Sequence, residues 1–169
     1  MNTLPDLHDH AEGGGHDHPP VMALAENYCR KHGASLTPIR RRVLAELAAS
    51  AVPLSAYDLT SRLHGPKKIA PVQVYRALEF LQEAGVIHRL ATRSAFIACG
   101  HAHAGGETIV FLVCGRCGKV EEAHSALVER GLKGAAAASG FRTRHSVVEV
   151  EGDCAACFAK LGTADTGAQ

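Results

Sequence analysis

From Val21 onward the apolar positions follow a helical period. Val21, Leu24, Ala25 and Tyr28 share one face, and Gly33 stands where that helix should end. A second helix is predicted from Thr37-Pro38, an N-cap residue followed by proline at the first helical position, with Ile39, Val43, Leu44 and Leu47 as its buried stripe. Ser55 can cap a third helix through Leu59 and Leu63, with Asp58 well placed in its first turn and Gly65-Pro66 to stop it. The fourth begins near Pro71 and ends at Gly85, turning Val74, Leu78 and Leu81 inward while Gln73, Arg76 and Glu83 can face out. The period then changes, and residues 86–90 and 95–98 predict two short strands around a turn at Thr92-Arg93-Ser94. Short helices followed by a β-hairpin is the order of a winged helix-turn-helix, in which the helix before the hairpin enters the major groove of DNA.

After Cys99 the composition shifts to a Gly- and His-rich linker over residues 100–106. Strands are predicted at 108–113 and 120–123. An Ala-rich helix capped by Ser125 follows, running through Val128, Leu132, Ala135 and Ala136 to Gly140, and a third strand is predicted at 141–150. This is a small α/β unit whose sheet is too short to be stable alone, so a metal cross-link and pairing with a second subunit are expected to supply what its core lacks. Residues 1–20, with His8, His10, His16 and His18 among Asp, Gly and Pro, cannot build a core and read as a disordered tail able at most to bind metal loosely. The predicted organisation is therefore a tail at 1–20, a winged-helix unit at 21–98, a hinge at 99–107, a metal-stabilised unit at 108–160 and a flexible end at 161–169.

Charge sharpens this division. The chain as a whole carries +1, yet residues 21–98 hold eleven basic and five acidic side chains, a net of +6, while 1–20 hold four acids and no Lys or Arg. A compact basic segment is expected where a chain meets phosphates, although a solvated basic face looks the same on charge alone. No apolar run approaches a membrane span, and the acidic, His-rich start does not resemble a signal peptide, so a cytoplasmic protein with no membrane partner is expected. In that compartment paired cysteines bind metal more often than they form disulfides. Eleven histidines also favour metal handling.

Two Cys-x-x-Cys pairs, Cys114 with Cys117 and Cys154 with Cys157, flank a segment of about 36 residues. Four thiolates offered this way suit a closed tetrahedral zinc site with no open position for a substrate. The first pair alone would also fit a dithiol oxidoreductase, but no βαβ pattern surrounds it and the second pair would be left unexplained. A zinc deaminase needs His-x-Glu and Pro-Cys-x-x-Cys; here Val113 and Asp153 precede the pairs, and the lone His-x-Glu lies at residues 10–12. Cys29 reads as a semi-buried free thiol and His124 as a surface residue.

Leu36-Thr37-Pro38-Ile39-Arg40, Ser55-Ala56-Tyr57-Asp58-Leu59, Val74-Tyr75-Arg76-Ala77-Leu78, Gly85-Val86-Ile87-His88-Arg89 and both cysteine pairs, all in order over roughly residues 21–160, resemble the ferric uptake regulator superfamily of metal-dependent repressors. The resemblance implies an α+β protein: an N-terminal winged helix-turn-helix domain joined by a hinge to a small α/β dimerisation domain, with zinc on Cys114, Cys117, Cys154 and Cys157. Iron-sensing members carry a His-rich run before the first cysteine pair, where this chain has Glu107-Thr108-Ile109-Val110-Phe111-Leu112-Val113. With Cys99 at the junction it looks instead like the zinc uptake regulator branch, and a thiolate selects for zinc. What that branch implies for a regulatory zinc is a set of His88, Cys99, Glu122 and one linker residue, His101 or His103 with Glu107 as runner-up. It implies Tyr75 and Arg76 on the DNA-reading helix, with Gln73, Arg40 and Tyr57 as weaker DNA contacts, and a place for His145 either in a further metal site or as a structural residue. The expected function is a non-enzymatic, homodimeric, zinc-responsive repressor of zinc-homeostasis genes that binds a palindromic operator and no small organic substrate. An iron or manganese sensor of the same family is the alternative.

Overall fold

The computed structural model describes residues 21–63, 69–99, 108–143 and 146–162. The expectations for the N-terminal tail, the Gly65-Pro66 stop, the linker with His101, His103 and Glu107, and His145 lie outside these residues. Four helices open the fold: α1 (Val21–His32), α2 (Pro38–Ala49), α3 (Ala56–Arg62) and α4 (Pro71–Glu83). Their apolar stripes converge on one core built around Leu44, Leu59, Leu78 and Leu81. Thr37 occupies the N-cap of α2 as predicted, but its side chain makes no capping bond; the carbonyl of Thr37 accepts the Arg41 amide at 3.0 Å instead. Helix α3 has the stronger start. The Ser55 hydroxyl accepts from the Asp58 amide (3.1 Å), and the Asp58 carboxylate accepts from the Ser55 amide (2.9 Å), a reciprocal capping box.

The two predicted strands of the wing are joined by one that the periodicity reading lacked. The short β1 (Leu54–Ser55) pairs with the hairpin of β2 (Ile87–Leu90) and β3 (Ala95–Ala98), in the order β1-β3-β2. Gly85, at φ +69°, lets the chain leave α4 directly into the hairpin, and the Val86 amide closes onto the Leu81 carbonyl at 3.2 Å. The hairpin is buried on both faces. Ile87, Phe96 and Ala98 belong to the helical core, whereas Leu90 and Ile97 pack against a second cluster of Ile109, Phe111 and Val113.

That second cluster sits on β4 (Thr108–Cys114), the centre of a sheet ordered β5-β4-β6 with β5 (Val120–Ala123) and β6 (Ser146–Gly152). Helix α5 (Ala126–Ala138) connects β5 to β6, and α6 (Ala155–Gly162) follows the second cysteine pair. The predicted third strand at 141–150 is displaced. Phe141 is taken into the end of α5 by a bond from its amide to the Ala136 carbonyl (2.8 Å), and the strand starts at Ser146, where parallel pairing with Thr108 begins. None of the residues of α5 is buried, and Leu112 and Val150, paired on one face of the sheet, stand exposed with Phe158 of α6, so this sheet face and these helices present uncovered apolar surface. Among the described residues no helix is long and apolar enough to cross a membrane.

The Ser55–Asp58 box can be tested directly. Bonds from the Ser55 side chain and backbone hold the Asp58 carboxyl below its usual 3.8, so its contribution is fully present above 3.8 and is lost as pH falls through the lower folded value. At neutral pH Ser55→Ala should therefore cost about 1 kcal/mol of helical-core stability, read as a lowered urea midpoint in the helical circular dichroism signal.

Candidate metal centres and nucleic-acid interface

The two cysteine pairs, distant in sequence, are brought together because β4 and β6 run parallel and in register. Gly152 lies opposite Cys114, and the Gly115 amide bonds to the Gly152 carbonyl at 2.8 Å, so both cysteine turns leave the sheet at the same end. The Sγ atoms of Cys114, Cys117, Cys154 and Cys157 all lie within 4.8 Å of one another, with Cys117 and Cys154 at 3.7 Å. A tetrahedron of zinc–sulfur bonds of about 2.3 Å has sulfur–sulfur edges of about 3.8 Å, so the donor set and its spacing fit zinc. Turn backbone supports it: the Gly118 amide donates to the Cys114 carbonyl (3.0 Å) and the Cys154 amide to the Cys114 sulfur (3.4 Å). The Arg116 guanidinium, inside the first pair, bonds to Asp153 beside the second at 2.7 Å.

The thiols also respond to their crowding. Backbone amides of Cys117 and Cys154 draw the Cys114 thiol down to about 6, while the neighbouring Cys154 and Cys117 side chains, with burial, push Cys157 up to about 12. Four thiolates so close cannot all hold their charge without a cation among them.

A second group of candidate ligands gathers where the hairpin meets β4 and β5. Cys99 extends the hairpin ladder through its amide, which donates to the Val86 carbonyl at 3.0 Å, and it is only 1% exposed. Its sulfur lies 3.4 Å from Oε2 of Glu122, which β5 carries opposite Phe111. His88 is 6% exposed, pairs with Ile97 in the hairpin, and sets its ring 5.5 Å from that of Phe111. Cys99, one residue beyond β3, thus touches Glu122 of β5, while His88 of β2 lies against Phe111 of β4, the strand paired with β5. Among the described residues the four paired cysteines are the one set of three or more donors within mutual ligand distance. His124, read from sequence as a surface residue, is exposed but reaches Glu122, with Nε2 3.4 Å from Oε1.

Between α3, α4 and the hairpin, Tyr75 (53% exposed) and Tyr57 (80%) border a groove that also takes in Ser55, Glu79, Arg89 and Ser94. Arg76, next on α4, is exposed. Arg89 was not legible as part of this surface, since only the docking of the hairpin beside α4 brings it there. Two of the weaker candidates have intramolecular roles. The Gln73 amide oxygen accepts from the Ala70 amide (3.2 Å), completing the start of α4. Arg40 stacks over Phe80 at 3.4 Å and donates to the Ser35 carbonyl at 2.5 Å.

The sequence pattern of the ferric uptake regulator family matches residues 31–151. The chain belongs to the ferric uptake regulator family. It is 37% identical over 138 residues to the zinc uptake regulation protein of Escherichia coli (strain K12), covering 81% of each chain. A zinc uptake regulator complexed with zinc and DNA superposes with a TM-score of 0.76 at 34% identity, covering 84% of this chain and 95% of that one. The crystal structure of holo XcZur gives 0.73 at 38% identity, covering 82% and 96%. Family membership accounts for the winged-helix order of the first half. The four-cysteine cluster, whose donors and spacing fit zinc, supports zinc binding by this family member.

Removal of the four-cysteine site has a large expected effect, because apparent binding free energies of structural zinc run to about 10–16 kcal/mol in small peptides. Cys154→Ser should lose a tightly held zinc by elemental analysis and melt the β4–β6 signal well below wild type, whereas Cys29→Ser should keep both.

Proposed function

We propose that this protein is a zinc-responsive transcriptional repressor, not an enzyme, which binds palindromic operator DNA as a homodimer in the cytoplasm and controls zinc-uptake and homeostasis genes. The observation that carries this reading is the Cys99–Glu122 contact at 3.4 Å, with His88 on the same hairpin, located where the DNA-facing half joins the second sheet. The overall likeness to a regulator solved with zinc and DNA supports it.

Each subunit is assigned two kinds of zinc site. Cys114, Cys117, Cys154 and Cys157 hold the permanent one, a closed set that stabilises the second sheet. His88, Cys99 and Glu122, completed by His101, His103 or Glu107, hold the regulatory one, and their thiolate and imidazole donors favour zinc over hard-ligand metals. A cation there supplies a bond between groups on separate strands of the two halves. Cys99 and His88 hold the hairpin side, and Glu122 holds the sheet side. Tying them narrows the orientations open to α4, and a ligand that prefers one arrangement shifts the population toward it. Tyr75 and Arg76 then meet DNA, Arg76 as a donor fork suited to guanine and Tyr75 to phosphate or a thymine methyl. The exposed apolar residues Leu112 and Val150, neighbours on one face of the sheet, with Phe158 of α6, supply the surface on which two subunits associate.

The test is a zinc titration of a labelled operator duplex. Wild type should tighten on DNA by about 5- to 150-fold as zinc rises, the range usual for coupled sites. Cys99→Ser should lose most of that gain while keeping its zinc on the paired cysteines. An unchanged zinc response would remove Cys99 from the switch.

A further inference from the structure

The tip of the wing is tied to the second sheet by contacts that involve none of the candidate zinc ligands' side chains. The Glu149 carboxylate, on β6, accepts from the Ala91 amide (2.6 Å), the Thr92 amide (3.1 Å) and the Thr92 hydroxyl (2.5 Å). One side chain therefore satisfies three donors of a single turn 57 to 58 residues away in sequence. The next residue, Arg93, reaches across in the same direction, donating to the Cys114 carbonyl at 3.0 Å and lying 3.6 Å from Glu151. A basic residue at a wing tip is ordinarily available to DNA phosphates; here its guanidinium faces the second sheet.

The apolar contact of Leu90 and Ile97 with Ile109, Phe111 and Val113 draws hairpin and sheet together but sets no unique angle, because burial is non-directional. Hydrogen bonds to a carboxylate have strict geometry and are stronger than neutral ones. Beside them, a cleft of about 320 Å³ lined by Val52, Ser55, Asp58, Arg93 and Cys117 separates the start of α3 from the first cysteine turn, so the halves are not packed continuously there.

We propose that Glu149 is a positioning residue which, with Arg93, docks the wing tip on β6 and β4 and fixes the orientation of the DNA-facing half independently of the regulatory metal. The site at Cys99 holds the base of the hairpin and Glu149 holds its tip, and two separated anchor points define a direction that one cannot. The effect on DNA rests on the function proposed above; the docking itself does not.

The experiment uses the full-length, zinc-loaded protein and the variants Glu149→Ala and Glu149→Asp. The aspartate keeps the charge but is one methylene too short to span the same gap. Amide hydrogen exchange at Ala91 and Thr92 should be slow in wild type and at least tenfold faster in both variants, with the core amides of α2 and α4 and the zinc on the paired cysteines unchanged. In a zinc titration of the labelled operator, both variants should bind about tenfold more weakly at saturating zinc, with salt dependence unaltered. Wild-type exchange in the variants would overturn the docking. Freed amides with undiminished operator affinity would overturn the positioning role alone. Freed amides in a protein with no zinc-dependent operator binding even as wild type would overturn the repressor reading, and with it the role assigned to Glu149 on DNA, while leaving the docking in place.

Discussion

The burial of the β2–β3 hairpin on both faces is the constraint on which the rest depends. Its strand residues divide between two cores: Ile87, Phe96 and Ala98 close the helical one, and Leu90 and Ile97 reach the cluster on β4. A wing that only flanked DNA could be polar on its outer side. Here the outer side is an internal interface, so moving the second sheet relative to the hairpin would expose apolar area at roughly 25 cal/mol per Å². That makes the join cohesive, yet leaves its angle to be set by polar groups at its edges.

Those groups occur at both ends of the hairpin. At the base, Cys99 meets Glu122; at the tip, Glu149 holds the turn and Arg93 reaches from the turn to the Cys114 carbonyl. Glu149 is subject to opposing influences. Burial raises its carboxyl, but the bonds from Thr92 and the Ala91 backbone outweigh burial and hold it below the usual 4.5, so it is a carboxylate at neutral pH and the contact is made by a charged acceptor. The four paired cysteines stand apart from this adjustment. Their geometry follows from the parallel pairing of β4 and β6, and their donor set and spacing suit a zinc ion.

The apolar surface of the second half fits the same picture. Helix α5 is amphipathic with its apolar residues Leu127, Val128 and Leu132 uncovered, and β6 is an edge strand with Val147 and Val150 exposed. A lone sheet edge of this kind invites pairing. The sheet that offers this edge is also the one that receives the wing.

The sequence by itself determined the helices, the hairpin and the cysteine staple, because each is a local pattern: a 3.6-residue stripe, a turn signal, a pair of Cys-x-x-Cys spacings. Gly33, Gly85 and Gly140 all take the positive φ that ends a helix, where the periodicity placed those ends. What only the tertiary structure decided were relations between distant residues. The two-residue β1 carries no period of its own and exists because β3 offers it a partner. Strand β6 begins at Ser146 rather than Phe141 because its register belongs to β4. Gln73 and Arg40, plausible DNA contacts from their positions, have hydrogen bonds within the chain. Nothing in the alternation of residues 146–152 distinguishes Glu149 from Glu151; its grip on Ala91 and Thr92 depends on how a hairpin from one core lies across a strand of the other.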